Sequence, residues 1–224
     1  MTDPADAGGP PSPPAGDAAA IMDRLREGTR AQHADAERRR FQRSLVAGRV
    51  TVEEYAAWLA QMYLVHRALR QAIDDSGAGC AALRRVVRDD GLHVRHLEED
   101  LRQLGVSADA LAPLPASAQL LEAIRNTAAS DPLSLLGFNY VLEGSMNGNR
   151  FIARGVTKVV PKGATRYLQS YGESQPSVWQ AYRSRMDGLE LDQVDADRIV
   201  DAARRIFALI GELSDQLMPG PPST

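Results

Sequence analysis

Apolar residues recur at three- and four-residue steps along almost the whole chain, a period that admits helices and little else. Ile21, Leu25, Thr29, His33 and Glu37 fall at four-residue intervals and predict one slowly drifting stripe on a helix over residues 21–44. Thr51-Val52-Glu53-Glu54 has the pattern of a capping box. It predicts a long second helix with Tyr55, Leu59, Tyr63, His66 and Leu69 on one face. A third helix is expected over 80–104, stopping near Gly105, and a fourth over about 116–129. The fifth begins at Pro132, a residue suited to a first helical turn, and runs beyond Arg150. A shorter helix over 175–188 follows. The last, over 193–217, is expected to bury Val194, Ile199, Val200, Ala203, Ile206, Phe207, Ile210 and Leu213. The only β-branched cluster, Val156 to Val160, lies just after a helix. The expected fold is all-α and single-domain.

The 224 residues suffice for one sizeable core. Residues 1–19, rich in Pro, Gly, Ala and Asp, cannot build a core and are expected to form a disordered tail. Residues 219–224, Pro219-Gly220-Pro221-Pro222-Ser223-Thr224, are expected to be a frayed end, which leaves 20–218 as the folded domain. A net charge of −3 gives no sign of a nucleic-acid partner. The single cysteine, Cys80, precludes a disulfide within the chain and suits a reducing compartment; it is expected at a turn or helix start. No stretch of about 18 apolar residues suggests a membrane span, and the N-terminus lacks signal-peptide features. The expected location is cytoplasmic.

Four places carry residues able to do chemistry. A lone helical histidine such as His33 is usually a packed or solvated residue. Glu37, one turn on, could fix its tautomer and make the other ring nitrogen a better metal ligand, or form an ordinary surface pair. Arg26 and Arg30, one and two turns before, could hold carboxylates or be solvated. Gly144 and Gly148 lie four apart in a helix, where each glycine costs about 1 kcal/mol against alanine. They permit either close helix packing or a flat ligand against bare backbone, and Ser145, Asn147 and Asn149 add polar groups beside them. Arg183 and Arg185, two apart, should face different sides of their helix. His93 and His96 have a chelating i,i+3 spacing, but their charged neighbours favour a solvated face. His66, on an apolar face, is expected to be buried.

Residues 25–37, Leu25-Arg26-Glu27-Gly28-Thr29-Arg30-Ala31-Gln32-His33-Ala34-Asp35-Ala36-Glu37, resemble the first helix of the haem oxygenase family. The resemblance continues through Tyr55 to Leu69, Leu97-Glu98-Glu99-Asp100-Leu101, Gly144-Ser145-Met146-Asn147-Gly148 and Tyr182-Arg183-Ser184-Arg185-Met186, in the family's order. It implies that His33 is the axial iron ligand, with Glu37 behind it. It further implies that Gly144 and Gly148 flank the distal face, and that Arg26, Arg30 and Arg183 hold the propionate edge. The chain departs from the family's pattern at three places. Ser145 stands at the distal aspartate, Trp179 at a basic residue, and His66 at a distal tyrosine. Tyr140-Val141-Leu142-Glu143-Gly144-Ser145 is similar to a bacterial branch linked to phytochromes, whose members also lack the aspartate.

The activity so implied uses haem as cofactor and substrate. It consumes O2 and electrons from a ferredoxin or reductase, and yields biliverdin, CO and ferrous iron. Ser145, Asn147, Asn149 or His66 would anchor the distal water in place of the aspartate, and a phytochrome could accept the biliverdin. Two other functions suit the same fold. One is a non-catalytic haem-binding or sensing protein. The other is a non-haem diiron oxidase, to which His66, His93 and His96 could contribute.

Overall fold

The computed structural model describes residues 20–88 and 91–218. Both expected tails, 1–19 and 219–224, lie outside the described residues. The elements are α1 (Ile21–Gly28), α2 (Arg30–Arg38), α3 (Arg40–Val46), α4 (Val52–Gly77), α5 (Ala81–Val86), α6 (Leu92–Gln103), α7 (Pro115–Ser130), α8 (Leu135–Val156), α9 (Gln175–Asp187) and α10 (Gln193–Leu217). Short 3₁₀ turns precede α8 at Pro132–Ser134 and follow it at Tyr167–Gln169 and Gly172–Ser174. There is no strand among the described residues, and Val156 to Val160 forms the end of α8 and a turn.

Several boundaries follow local chemistry. Thr51 and Glu54 form the reciprocal capping box that opens α4. Cys80 is the N-cap of α5. Gly105 takes a positive φ of 73° just after α6, which stops the helix.

Two expected helices are broken. The first, over 21–44, is three segments that change direction at Thr29 and at Arg39, whose backbone is extended. The third, over 80–104, is divided: α5 ends at Val87, whose backbone is extended, and α6 begins after Gly91, which adopts a φ of 87°, a conformation other side chains resist. The expected burial of α10 also needs correction. Val194 is 63% exposed in the first turn, and Phe207 and Ile210 are only partly covered, while Ile199, Val200, Ala203, Ile206 and Leu213 are buried.

The core is organised around two long helices. α4 packs on α6 and α7, and α10 packs on α7, α8 and the N-terminal segments. α8 runs against α10 at its start and against α3 and α9 further on. The α8–α10 crossing is close at Gly137, where the backbone of α10 lies against the bare Cα. Gly155 permits the same at α3: a Cβ there would stand 2.5 Å from the Val46 carbonyl oxygen.

Asp100 positions the segment after α8. It is fully buried, and its carboxylate accepts the backbone N–H groups of Arg166 and Tyr167 at 2.9 Å each. Burial pushes its carboxyl from an ordinary 3.8 up to about 6, although those two bonds pull the other way. The fold thus holds a proton here between about pH 4 and 6 that the unfolded chain has lost. The stability contributed by Asp100 therefore falls as pH rises through that window. Asp100→Asn leaves one N–H without an acceptor and should cost roughly 1–3 kcal/mol. In urea titrations its deficit against the parent should be largest below about pH 4 and shrink toward about pH 7. A deficit that widened with pH would contradict the assignment.

Candidate functional site

The face that carries His33 is unlike the rest of the molecule. α2 buries none of its residues, although it connects two packed segments and rests on α10. The His33 side chain is 59% exposed, with its ring edge against Phe207 at a centroid distance of 5.7 Å. Its Nδ1 lies 3.6 Å from Glu37 Oε1. That is too long for a hydrogen bond and within ion-pair range. The carboxylate faces Nδ1 and leaves Nε2 free, the arrangement that makes an imidazole a good metal ligand. The stripe expected from sequence is therefore half buried and half displayed: Ile21, Leu25 and Thr29 enter the core, and His33 and Glu37 do not.

Tyr140 links the N-terminal helices to α8 and α9. The electrostatic neighbours of its hydroxyl are Thr29, Arg26 and Arg183, while burial raises its pKa. The charges of Arg26 and Arg183 both act on that hydroxyl. Arg26 also pairs with Asp23 at 3.2 Å and Arg30 with Glu27 at 3.0 Å, both on the surface. Arg185 turns to the other side of α9 and donates to the Val86 carbonyl at 2.8 Å, so the two arginines diverge as expected.

The two glycines of α8 differ. A Cβ on Gly144 would meet the Trp179 ring at 3.5 Å, an ordinary contact, and Trp179 in turn stacks on Tyr182. A Cβ on Gly148 would meet nothing within 4 Å, so bare helix backbone is open to space there. Close packing explains neither glycine.

Behind α8 lies a buried polar cluster. His66 Nε2 and the Tyr167 hydroxyl are 3.0 Å apart. Burial, with His93 beside it, pushes the His66 imidazole well below its ordinary pKa, so it is neutral. The Tyr171 hydroxyl donates to Glu143 Oε1 at 2.5 Å and lies 3.1 Å from His93 Nε2, itself 3.3 Å from Glu143 Oε2. The Ser145 and Asn149 side chains are close enough to the Tyr167 hydroxyl to favour its ionised form, although burial dominates and raises its pKa. Ser145 also bonds the Leu142 carbonyl at 2.7 Å. Asn147 belongs to a different contact. Its amide donates to the Gly144 carbonyl at 3.1 Å and its oxygen accepts from Gln175 at 3.2 Å, which ties α8 to α9.

His93 corrects the sequence expectation of a solvated pair. It is 3% exposed, and the exposed charges of Arg95 and Glu98 occupy the other face of α6. His96 is half-buried and bonds Ser170 at 3.1 Å rather than sharing a ligand with His93. Among the described residues, no group of three or more His, Cys, Asp or Glu side chains converges as a metal site would require. Glu143, Tyr167 and Tyr171 escaped sequence reasoning. The one available signal was Asp100, a carboxylate within the otherwise apolar Leu97–Leu101 face, whose partners are the backbone that carries Tyr167.

The heme oxygenase family profile matches residues 19–216. A heme oxygenase of Pyropia yezoensis is 25% identical over 204 residues, covering 88% of this chain and 85% of its own. A heme oxygenase of Xanthomonas campestris is 29% identical over 175 residues, covering 75% and 87%. The fold is similar to that of a Synechocystis heme oxygenase solved in complex with heme. The TM-score is 0.79 at 24% identity, with 89% of this chain and 92% of that one covered. No helix among the described residues is long and apolar enough to cross a membrane. With a profile that spans nearly all of the described fold, the chain belongs to the haem oxygenase family of oxidoreductases.

Proposed function

We propose that this chain binds haem between α2 and the glycine face of α8, with His33 as the axial ligand, and opens the ring to biliverdin, CO and ferrous iron. Haem in that position supplies the iron at which O2 is reduced and the ring that is oxidised. Electrons come from an external donor such as a ferredoxin or a reductase, and biliverdin could pass to a phytochrome. The observation that carries this reading is an exposed imidazole, with a carboxylate 3.6 Å from its Nδ1, on a helix that buries none of its residues.

The residues present fit the group. A neutral imidazole gives little of the electron push that a thiolate would give. Arg26 and Arg183, whose charges both act on the Tyr140 hydroxyl, supply guanidinium forks suited to propionates, with Arg30 one turn further on. Gly144 and Gly148 let a flat ring approach the α8 backbone. Ser145 and His66, both beside Tyr167, supply the polar side of the distal face. Asn147 contributes by holding α8 to α9 rather than by facing the ring.

Gly148→Ala separates packing from binding. Alanine meets no neighbour and removes the helix penalty of glycine, so stability in urea should rise by about 1 kcal/mol. Hemin affinity should fall, because the methyl group stands where the ring approaches the backbone. Unchanged affinity would place the ring elsewhere.

The direct test of function is spectroscopic. Hemin added to the purified protein should give a Soret band. With ascorbate or a reduced ferredoxin in air, and catalase present to remove free peroxide, that band should decay into the broad red absorption of biliverdin. A Soret band that persists under reductant would mean haem binding without turnover. No Soret band would overturn the haem assignment.

A further inference from the structure

Where α4 ends and α5 begins, the two helices border a cavity of about 400 Å³. It shares no lining residue with the His33, Tyr140 or glycine surfaces, and its volume lies within the roughly 300–1,000 Å³ of small-molecule pockets. Its walls differ in character. One is apolar: Ile73 and Leu83 are buried and Val87 is half-buried. The other is cationic, with Arg70 from α4, Arg84 from α5 and Arg88 just beyond it. The three cations are not equally free. Arg70 spends Nε and Nη2 on the Asp74 carboxylate and is neutralised there. Arg84 donates Nη1 to the carbonyls of Gly77 and Ala78. Those bonds fix its position at the end of α4 and supply no negative charge. Arg88 is exposed and has no hydrogen bond or ion pair among the described residues.

A further cation crowds the same place. Arg185 of α9 is tethered beside α5 by its bond to the Val86 carbonyl, and burial together with the charge of Arg88 pushes its guanidinium below the ordinary pKa. Like charges held this close destabilise one another unless a counter-charge is supplied. The only carboxylate in the cavity's lining, Asp74, is already spent on Arg70. An inorganic anion would answer the charge and leave the apolar wall and most of the volume unused. We infer that this cavity binds a small carboxylate with an apolar body: the carboxylate accepts from Arg88 and Arg84, and the hydrocarbon lies on Ile73, Leu83 and Val87. A guanidinium presents parallel N–H donors that match a carboxylate. Each methylene buried against the apolar wall adds up to about fourfold in affinity. The ligand bridges the end of α4 to α5, so it also stabilises the folded chain by mass action.

Binding at this cavity is independent of haem. Titration calorimetry of the full chain with sodium octanoate, below micelle-forming concentrations, should show saturable binding and a raised melting temperature, with hemin present or absent. Acetate and 1-octanol should each bind at least about 10-fold more weakly, the first for want of a body and the second for want of a charge. Arg88→Gln removes the free guanidinium and should weaken octanoate about 10-fold. Ala78→Trp fills the cavity and should abolish binding without touching a charge. Both positions are exposed, so both variants should keep the parental circular dichroism. No saturable binding, the result expected if Asp89 or Asp90 already neutralises these arginines, overturns the site. Octanoate affinity unchanged in both variants also overturns it, because the ligand then lies elsewhere, in the haem cleft if hemin displaces it. Inorganic phosphate bound as tightly as octanoate would overturn the apolar half of the assignment.

Discussion

A His33→Ala variant should bind hemin at least about 100-fold more weakly than the parent, without losing its fold. Groups that hydrogen-bond the far ring nitrogen of a metal-bound histidine are worth about 10–100-fold in affinity, and the ligand itself is worth more. The fold should survive because the His33 side chain is 59% exposed and leaves no cavity behind. A surface truncation of this kind changes stability by about 0.5 kcal/mol or less. The same exposure gives a second readout. Free imidazole can reach the place the side chain occupied, and millimolar additions should restore the Soret position. Glu37→Ala should weaken binding less, by about 10-fold, since it removes only the group facing Nδ1. If His33→Ala kept the parental Soret band and affinity, the iron would have another ligand. The other histidines, His66, His93 and His96, are engaged behind α8 and around α6.

The second large effect is on stability. Gly137→Ala should destabilise the protein by about 3 kcal/mol or more, and lower its melting temperature by roughly 6–12 °C. A methyl group at this position would overlap the Ile199 carbonyl oxygen and stand 2.8 Å from Ala203 N. Both are backbone atoms in the middle of α10, so no side chain can rotate away. Relief requires the two helices to separate, and α10 also carries α1, α2, α3 and α7. Separation would therefore move α2, and hemin affinity should fall along with stability. The contrast with Gly148→Ala, where the new methyl group meets nothing, makes the pair informative. If both substitutions had the same effect, helix propensity alone would be at work and the α8–α10 contact would carry no weight. Differential unfolding in urea, monitored by circular dichroism, decides between these outcomes.

The chain's own period determined most of the helices. The spacing of Tyr55, Leu59, Tyr63 and Leu69, the capping box at Thr51 and the stop at Gly105 depend on residues within a turn or two of one another. Such local free-energy terms are legible in a sequence. The breaks at Thr29 and Gly91 are less so, because the apolar spacing continues across them and only the backbone conformation changes. His33, Glu37, Gly144, Gly148 and Arg183 were likewise identifiable from type and order. Local reasoning could not say which of them lie exposed. The structure decided that by leaving α2 without a buried residue and Gly148 without a neighbour.

The buried cluster was beyond local reasoning altogether. His93 follows Asp89 and Asp90 and precedes Arg95, Glu98 and Glu99, which makes it resemble a solvated residue. It is buried because Glu143 and Tyr171, 50 and 78 positions further on, satisfy its ring. A polar side chain enters a core only where its hydrogen-bonding partners are waiting. Those partners come from other helices, so their presence is a property of the packed molecule. The sequence by itself determined the helices, the axial-histidine candidate and the family resemblance. The tertiary structure decided which polar residues share the interior behind α8, because only packing brings a donor on one helix to an acceptor on another.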